Sequence, residues 1–361
     1  MPRTTLIISL SVLWIGSCGR NDRSAGDPVP GPPATQPASS MPATCARESA
    51  VRTAGGPLEI AVIPMGSTHE FWKAIHAGAV KAEQELAGAV RVNWKGPMKE
   101  GDREAQISIV ENFINAGMAG IAVAPTDNVA LARPLRAAMR AGIGVVIMDS
   151  ALSPDAATVC EDYASFIATD SYLGGRMGGH RLGEILRGRG NVLVLRCEVG
   201  LVGTTQREQG FLDVIAREYP GIMIVSSNQY GTASAETAFK KAENLLNRFP
   251  DLDGIFCPNE STTFGMLRAL RSTGRAGKVK FVGFDSSEKL IEAMAAGEIH
   301  GLVLQDPLNI GYTSVKTLAA YLRGEAVRTR IDTGCTVATP ENMYEPRIRE
   351  LLSPPLEKYL P

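Results

Sequence analysis

At 361 residues the chain is long enough for two domains of ordinary size, each with its own core. Hydrophobic residues make up 44% and charged residues 21%, as in soluble globular proteins, and a net charge of −1 gives no reason to expect nucleic acid or an acidic membrane surface as partner. No run of 18 apolar residues occurs, so no transmembrane helix is predicted.

The first residues read as an export signal rather than fold. Arg3 precedes an apolar stretch from Leu6 to Ile15 that is too short to span a bilayer and is followed by small residues. Ile15-Gly16-Ser17-Cys18 resembles the lipobox of bacterial lipoproteins, which implies a signal peptide over 1–17 and acylation of Cys18 at the mature N-terminus. Residues 18–56 form a linker rich in Pro, Ser, Ala and Gly, with no periodicity and too little apolar surface for a core. It is expected to be a disordered, partly stiff spacer between the lipid anchor and the body.

The body opens with a strand at Leu58 (LEIAVIP), then a helix over about 71–86 in which Trp72, Ile75, Ala79 and Ala82 keep helical spacing. Strand VRVNW, helix 106–116, strand 120–124, helix 128–141, strand 143–148 and a short strand at 166–169 complete one lobe. From Gly174 the pattern starts afresh, with helices at 174–186, 207–218, 233–247, 263–272 and 288–296. Strands at 191–196, 222–226, 254–257, 278–283 and 300–304 separate them. Strand followed by helix, repeatedly, predicts an α/β fold of two Rossmann-like, doubly wound lobes. The glycines of 174–179 do not form a phosphate-binding turn and are expected to permit close helix packing.

Six apolar runs end on polar residues: Asp127, Asp149, Glu198, Asn259, Asp285 and Gln305. Ligands of parallel sheets bind beyond the carboxyl ends of the strands, and Asp, Asn and Gln side chains there suit a neutral polyhydroxyl ligand. Five cysteines follow Cys18, namely Cys45, Cys160, Cys197, Cys257 and Cys335. An odd number leaves at least one unpaired, and neither CxxC nor a Cys/His spacing of a metal site occurs. The four histidines, His69, His76, His180 and His300, show no metal spacing, and there is no GxSxG or Walker motif. The expectation is no enzyme activity, no metal and no cofactor.

The motifs IAVIP…EFW, APTD, VVIMDS, IATDSYLGG, REQGF, IFCPNE, TFGMLRAL, KFVGFDSS and GLVLQDPLNIG occur in an order that resembles the ribose-binding branch of the type I periplasmic binding proteins, over about 58–340. The resemblance implies two lobes joined by three crossovers, near Asp170, Asp306 and Gly334. The N-terminal lobe would take 57–170 plus 306–334, and the C-terminal lobe 171–305 plus 335–361. It further implies ligand contacts from Phe71, Trp72, Asp149, Arg207, Asn259, Asp285 and Gln305, with His69, Trp94 and Ser150 as further candidates. For Trp72 a core position competes with ligand contact, and for Asp285 a helix N-cap does. Asp127 and Glu198 fall back to loop or cap residues. The chain departs from the ribose pattern with His69 or its neighbour Glu70 where an asparagine precedes the aromatic pair, with Asp149-Ser150 where Asp-Arg is expected, and in lacking an evident aromatic before helix 233–247, although Tyr230 is near.

The function implied is a lipid-anchored, monomeric extracytoplasmic receptor. It would bind a monosaccharide or related polyol between its lobes and deliver it to an ABC import permease. A sensor-only receptor feeding a membrane kinase or chemoreceptor is the alternative, since both would use the same closed-lobe surface.

Overall fold

The computed structural model describes residues 56–153, 155 and 162–360. The predicted leader, linker and acylated Cys18, together with Cys45 and Cys160, lie outside them. Among the described residues Cys197, Cys257 and Cys335 are free thiols.

Two six-stranded sheets organise the chain. The first contains β1 (Leu58–Ile63), β2 (Val90–Trp94), β3 (Gly120–Val123), β4 (Gly144–Met148), β5 (Ser165–Ala168) and β11 (Arg330–Asp332), in the order β11-β5-β4-β3-β1-β2. The second contains β6 (Arg189–Arg196), β7 (Gly221–Tyr230), β8 (Gly254–Phe256), β9 (Lys280–Phe284), β10 (Gly301–Gln305) and β12 (Cys335–Ala338), in the order β12-β10-β9-β8-β6-β7. The two orders correspond strand for strand. All pairs are parallel except β10 with β12, which is antiparallel. β3, β4 and β10 are buried along their whole length, which is why they read as unbroken apolar runs rather than alternating ones.

The helices are α1 (Glu70–Glu85), α2 (Arg103–Asn115), α3 (Ala132–Arg140), α4 (Ser171–Ile185), α5 (Val202–Glu218), α6 (Ala235–Arg248), α7 (Glu260–Ser272), α8 (Glu288–Ala295), α9 (Pro307–Leu322) and α10 (Pro346–Leu352). Caps explain where several begin. Asp102 accepts from Ala105 N at 3.1 Å, so α2 starts three residues before the expected position. Asp127 Oδ1 instead accepts from Val129 N and Ala130 N at 2.9 and 2.8 Å, which forms a turn and delays α3 from 128 to 132. Asp170 and Asp306 cap α4 and α9. Helices α9 and α10 and strands β11 and β12 were not among the predicted elements. α5 also begins at 202 rather than 207, which moves Arg207 from the helix start into its second turn.

Three short segments pass between the sheets, from β5 to α4, from β10 to α9 and from β11 to β12. The first and third are tied together by Asp332, whose Oδ1 accepts from Asp170 N at 3.1 Å and from Gly334 N at 2.9 Å. After each of the first two crossings the new helix packs across the other sheet, with α4 beside α5 and α9 beside α1. Glycines allow these close approaches. A Cβ on Gly175 would lie 1.9 Å from Arg207 O, and one on Gly311 would lie 2.0 Å from Ile75 O. The glycines of 174–179 therefore serve helix packing, as expected.

Candidate functional site

β4 and β9 hold equivalent places in the two sheets, and each runs into an aspartate with a left-handed backbone, φ 61° at Asp149 and 65° at Asp285. Aspartate tolerates this conformation better than most residues. Both amides stay bonded to the next strand, Asp149 N to Ile167 O at 2.9 Å and Asp285 N to Val303 O at 2.8 Å. The chain thus turns sharply without losing a buried hydrogen bond, at the end of the sheet where the two lobes face each other.

Arg207 reaches the same space from α5. It is 5% exposed, donates from Nη1 to Pro258 O at 3.0 Å, lies 4.2 Å over the Phe284 ring and pairs with Asp285 Oδ2 at 3.8 Å. Its Nε has no partner. Gln305, at the end of β10, donates from Nε2 to Asp285 Oδ1 at 2.7 Å, which fixes the orientation of its amide. Its Oε1 is left without a partner although the residue is only 3% exposed. Asp285 also accepts from Glu260 N at 3.1 Å. Asp285 does not cap α8; Ser287 is the N-cap residue there.

The first lobe supplies Phe71, Trp72, His69, Glu100, Asp149 and Ser150. Phe71 meets Trp72 edge to face at 5.0 Å and is half-buried at the cleft wall. Trp72 is 2% exposed, belongs to the core, and donates its indole N–H to Glu100. Glu100 also pairs with His69 Nδ1 at 3.1 Å. The lobes touch where Phe71 N donates to Glu260 Oε2 at 3.4 Å.

These residues, with Met65, Leu201, Gly203, Thr204 and Asn259, line one cavity of about 50 Å³. A wider one of about 860 Å³ adjoins it, shares Phe71, Glu260, Asp285 and Gln305, and is bounded by α8 and the C-terminal segment. The chemistry concentrates around the smaller cavity, whose lining residues Arg207, Gln305 and Ser150 each carry a buried atom without a partner, Nε, Oε1 and Oγ respectively.

Burial governs the electrostatics. Asp149 is pushed up to about 7 by desolvation, against the pull of Arg207. Glu260 rises to about 7 for the same reason, opposed by His69. Desolvation likewise raises Asp285, while Arg207 and Gln305 hold it back. Burial alone would lower His69, but the hydrogen bond and charge of Glu100, with Glu260 and Asp285 beyond, raise it to about 9.

Of the residues named from the sequence, Phe71, Trp72, Asp149, Arg207, Asn259, Asp285, Gln305, His69 and Ser150 come together around this cavity. Trp94 does not. It stacks on His76 at 4.4 Å and packs against the first-lobe core. Asn259 reaches the cavity, but its side chain is taken up locally, capping α7 through Thr262 N at 3.2 Å and donating to Ser261 Oγ at 2.9 Å. Sequence reasoning missed Glu100 and Glu260. Glu260 directly follows a strand-end asparagine and could have been found by that position. Glu100 sits in a loop between β2 and α2 with no periodic signal.

The family profile described as a periplasmic binding protein domain matches residues 60–326. The chain belongs to the periplasmic binding protein family. This binding protein is 29% identical over 266 residues to a D-ribose/D-allose-binding protein of Pseudomonas aeruginosa, covering 74% of its own length and 82% of the relative. Among solved structures it resembles an ABC transporter solute-binding protein of Agrobacterium vitis with bound D-fucose, at 33% identity and TM-score 0.78, covering 82% of this chain and 100% of that one. A carbohydrate transporter solute-binding protein of Agrobacterium radiobacter in complex with D-arabinose matches at 32% identity and TM-score 0.77, covering 82% and 99%. The two α/β lobes of the binding protein are the fold of these structures.

Proposed function

We propose that this periplasmic binding protein is an extracytoplasmic receptor that captures a monosaccharide or related polyol in the interlobe cleft and delivers it to an ABC import permease. The observation that carries this reading is the convergence of buried, partly unpartnered hydrogen-bonding groups from both lobes, Asp149 and Ser150 on one side and Arg207 and Gln305 on the other, beside the ring of Phe71. A hydroxyl both donates and accepts, and leaving it unpaired in a buried site costs about 1–3 kcal/mol. Fixed acceptors and a planar guanidinium therefore select a polyhydroxyl ligand, and an aromatic wall covers its apolar face. The sugars and transporter roles named for the relatives point the same way.

Contacts made to both lobes stabilise the closed arrangement relative to an open one, so ligand affinity drives closure about the three crossing segments. Isothermal calorimetry against pentoses, hexoses and inositols tests the reading. One-to-one binding with the ligand recovered unchanged is expected, and silence across the panel would contradict it. The protein is further proposed to be a lipid-anchored monomer held through Cys18. Cys18→Ser should then release it from membranes, and a variant that stays membrane-bound would refute the anchor.

A further inference from the structure

Four carboxylates line the cleft, those of Glu100, Asp149, Glu260 and Asp285, against two cationic side chains, His69 and Arg207. The pairings are specific. His69 lies 3.1 Å from Glu100, and Arg207 lies 3.8 Å from Asp285. Among the described residues, neither Asp149 nor Glu260 has a cationic side chain within 4.0 Å. Two carboxylates are thus left without close counter-charges in a desolvated cleft.

The hydrogen-bonding inventory leans the same way in one corner. Glu260 and Gln305 flank Asp285, one through its backbone N–H and the other through its amide nitrogen. Both Asp285 oxygens are therefore engaged, and Gln305 is locked with its unpartnered Oε1 as a buried acceptor. The Glu260 side chain accepts only the amide of Phe71, at a long 3.4 Å. Among the described residues, no side-chain donor is bonded to the Glu260 carboxylate or to Gln305 Oε1. A neutral hydroxyl brings one hydrogen and needs a donor in return, and it leaves the charge to be met by protons from water. An ammonium brings three hydrogens, accepts none and supplies the missing positive charge.

We infer that the preferred ligand is a cationic polyol, an amino sugar or aminocyclitol, whose ammonium group is held in the Glu260–Gln305 corner. The inference rests on the reading of the cleft as a polyol site and narrows its ligand class.

The test is calorimetry of the full-length protein at pH 7.5. Aminodeoxy sugars with the amine at carbon 2, 3 or 4 and an inosamine are each compared with the hydroxyl parent. At least one amine should bind about 10–100-fold more tightly than its parent, the range of one charge-assisted hydrogen-bonded contact. Glu260→Gln should erase that preference, read as the ratio of amine to parent affinity in the same variant. Parents that bind as tightly as all the amines, or a preference that survives Glu260→Gln, would overturn the ligand class and leave the polyol reading standing. Silence from amines and parents alike would overturn both.

Discussion

Arg207 joins three parts of the second lobe at once, the loop after β8 through Pro258 O, the ring of Phe284 at the end of β9, and the carboxylate of Asp285. Its removal therefore reaches beyond the proposed ligand contact. Arg207→Ala is expected to weaken sugar binding about 10–100-fold or more, the worth of charge-assisted hydrogen bonds. It also strips Asp285 and Asp149 of the cation that lowers both. Breaking a buried pair from one side costs about 3–5 kcal/mol, and the loss is smaller where the remaining carboxylates are protonated. The melting temperature of the empty variant should consequently fall more at pH 8 than at pH 5. An equal fall at both values would show that Arg207 stabilises through packing alone.

Asp149 and Glu260 make a second prediction at the same scale. Their folded values, about 7, lie above those of the unfolded chain. Between about pH 4 and 7 the folded state holds protons that the unfolded state has released, so stability declines as pH rises through that window and levels off above it. His69, raised from 6.5 to about 9, extends the decline across that higher range. Asp149→Asn and Glu260→Gln should each flatten the pH 4–7 slope and raise the melting temperature of the empty protein at pH 8. Thermal denaturation from pH 4 to 9 measures this, and unchanged slopes would contradict it.

At the scale of elements, the site depends on helices that approach closely enough for backbone to touch backbone. Gly175 on α4 faces the carbonyl of Arg207 itself. Gly175→Ala must push α5 outward, at a cost of about 1–3 kcal/mol, and moves Arg207 with it. Loss of ligand affinity beyond what the stability change explains is the expected result, checked by calorimetry and denaturation on the same sample. The small-residue run of 174–179 was legible as a packing device, and the apolar runs gave the buried strands directly. Less legible were elements decided by single polar side chains. α3 starts late because Asp127 spends its carboxylate on a turn, and α5 starts early, which no periodic signal marked. In the cleft, residues at strand ends could be named because their position follows from the fold. Trp94 also ends a strand, yet the preceding helix α1 offers His76 as a stacking partner, and Trp94 packs against the first-lobe core instead of the cleft. Glu100 was invisible because a loop carries no period, and only the folded chain brings it to His69 and Trp72.

Across the whole molecule, the matching strand orders of the two sheets set Asp149 and Asp285 at equivalent positions in the two lobes, and three short segments are the covalent links between the sheets. The carboxylate of Asp332 ties two of those links. A ligand that bonds both lobes turns the relative position of the sheets into a signal a permease can read. Fluorophores placed on the outer surfaces of the two lobes should therefore report a shorter distance when sugar is added to the wild-type protein, and no change in Arg207→Ala at the same concentration. The most direct test of the account is a crystal structure of the protein with a calorimetrically identified sugar or polyol. The ligand is expected between the lobes, bonded to Arg207 and to Asp149 with Phe71 against its apolar face. A ligand seated only in the wider cavity beside α8 and α10, or one contacting a single lobe, would contradict it.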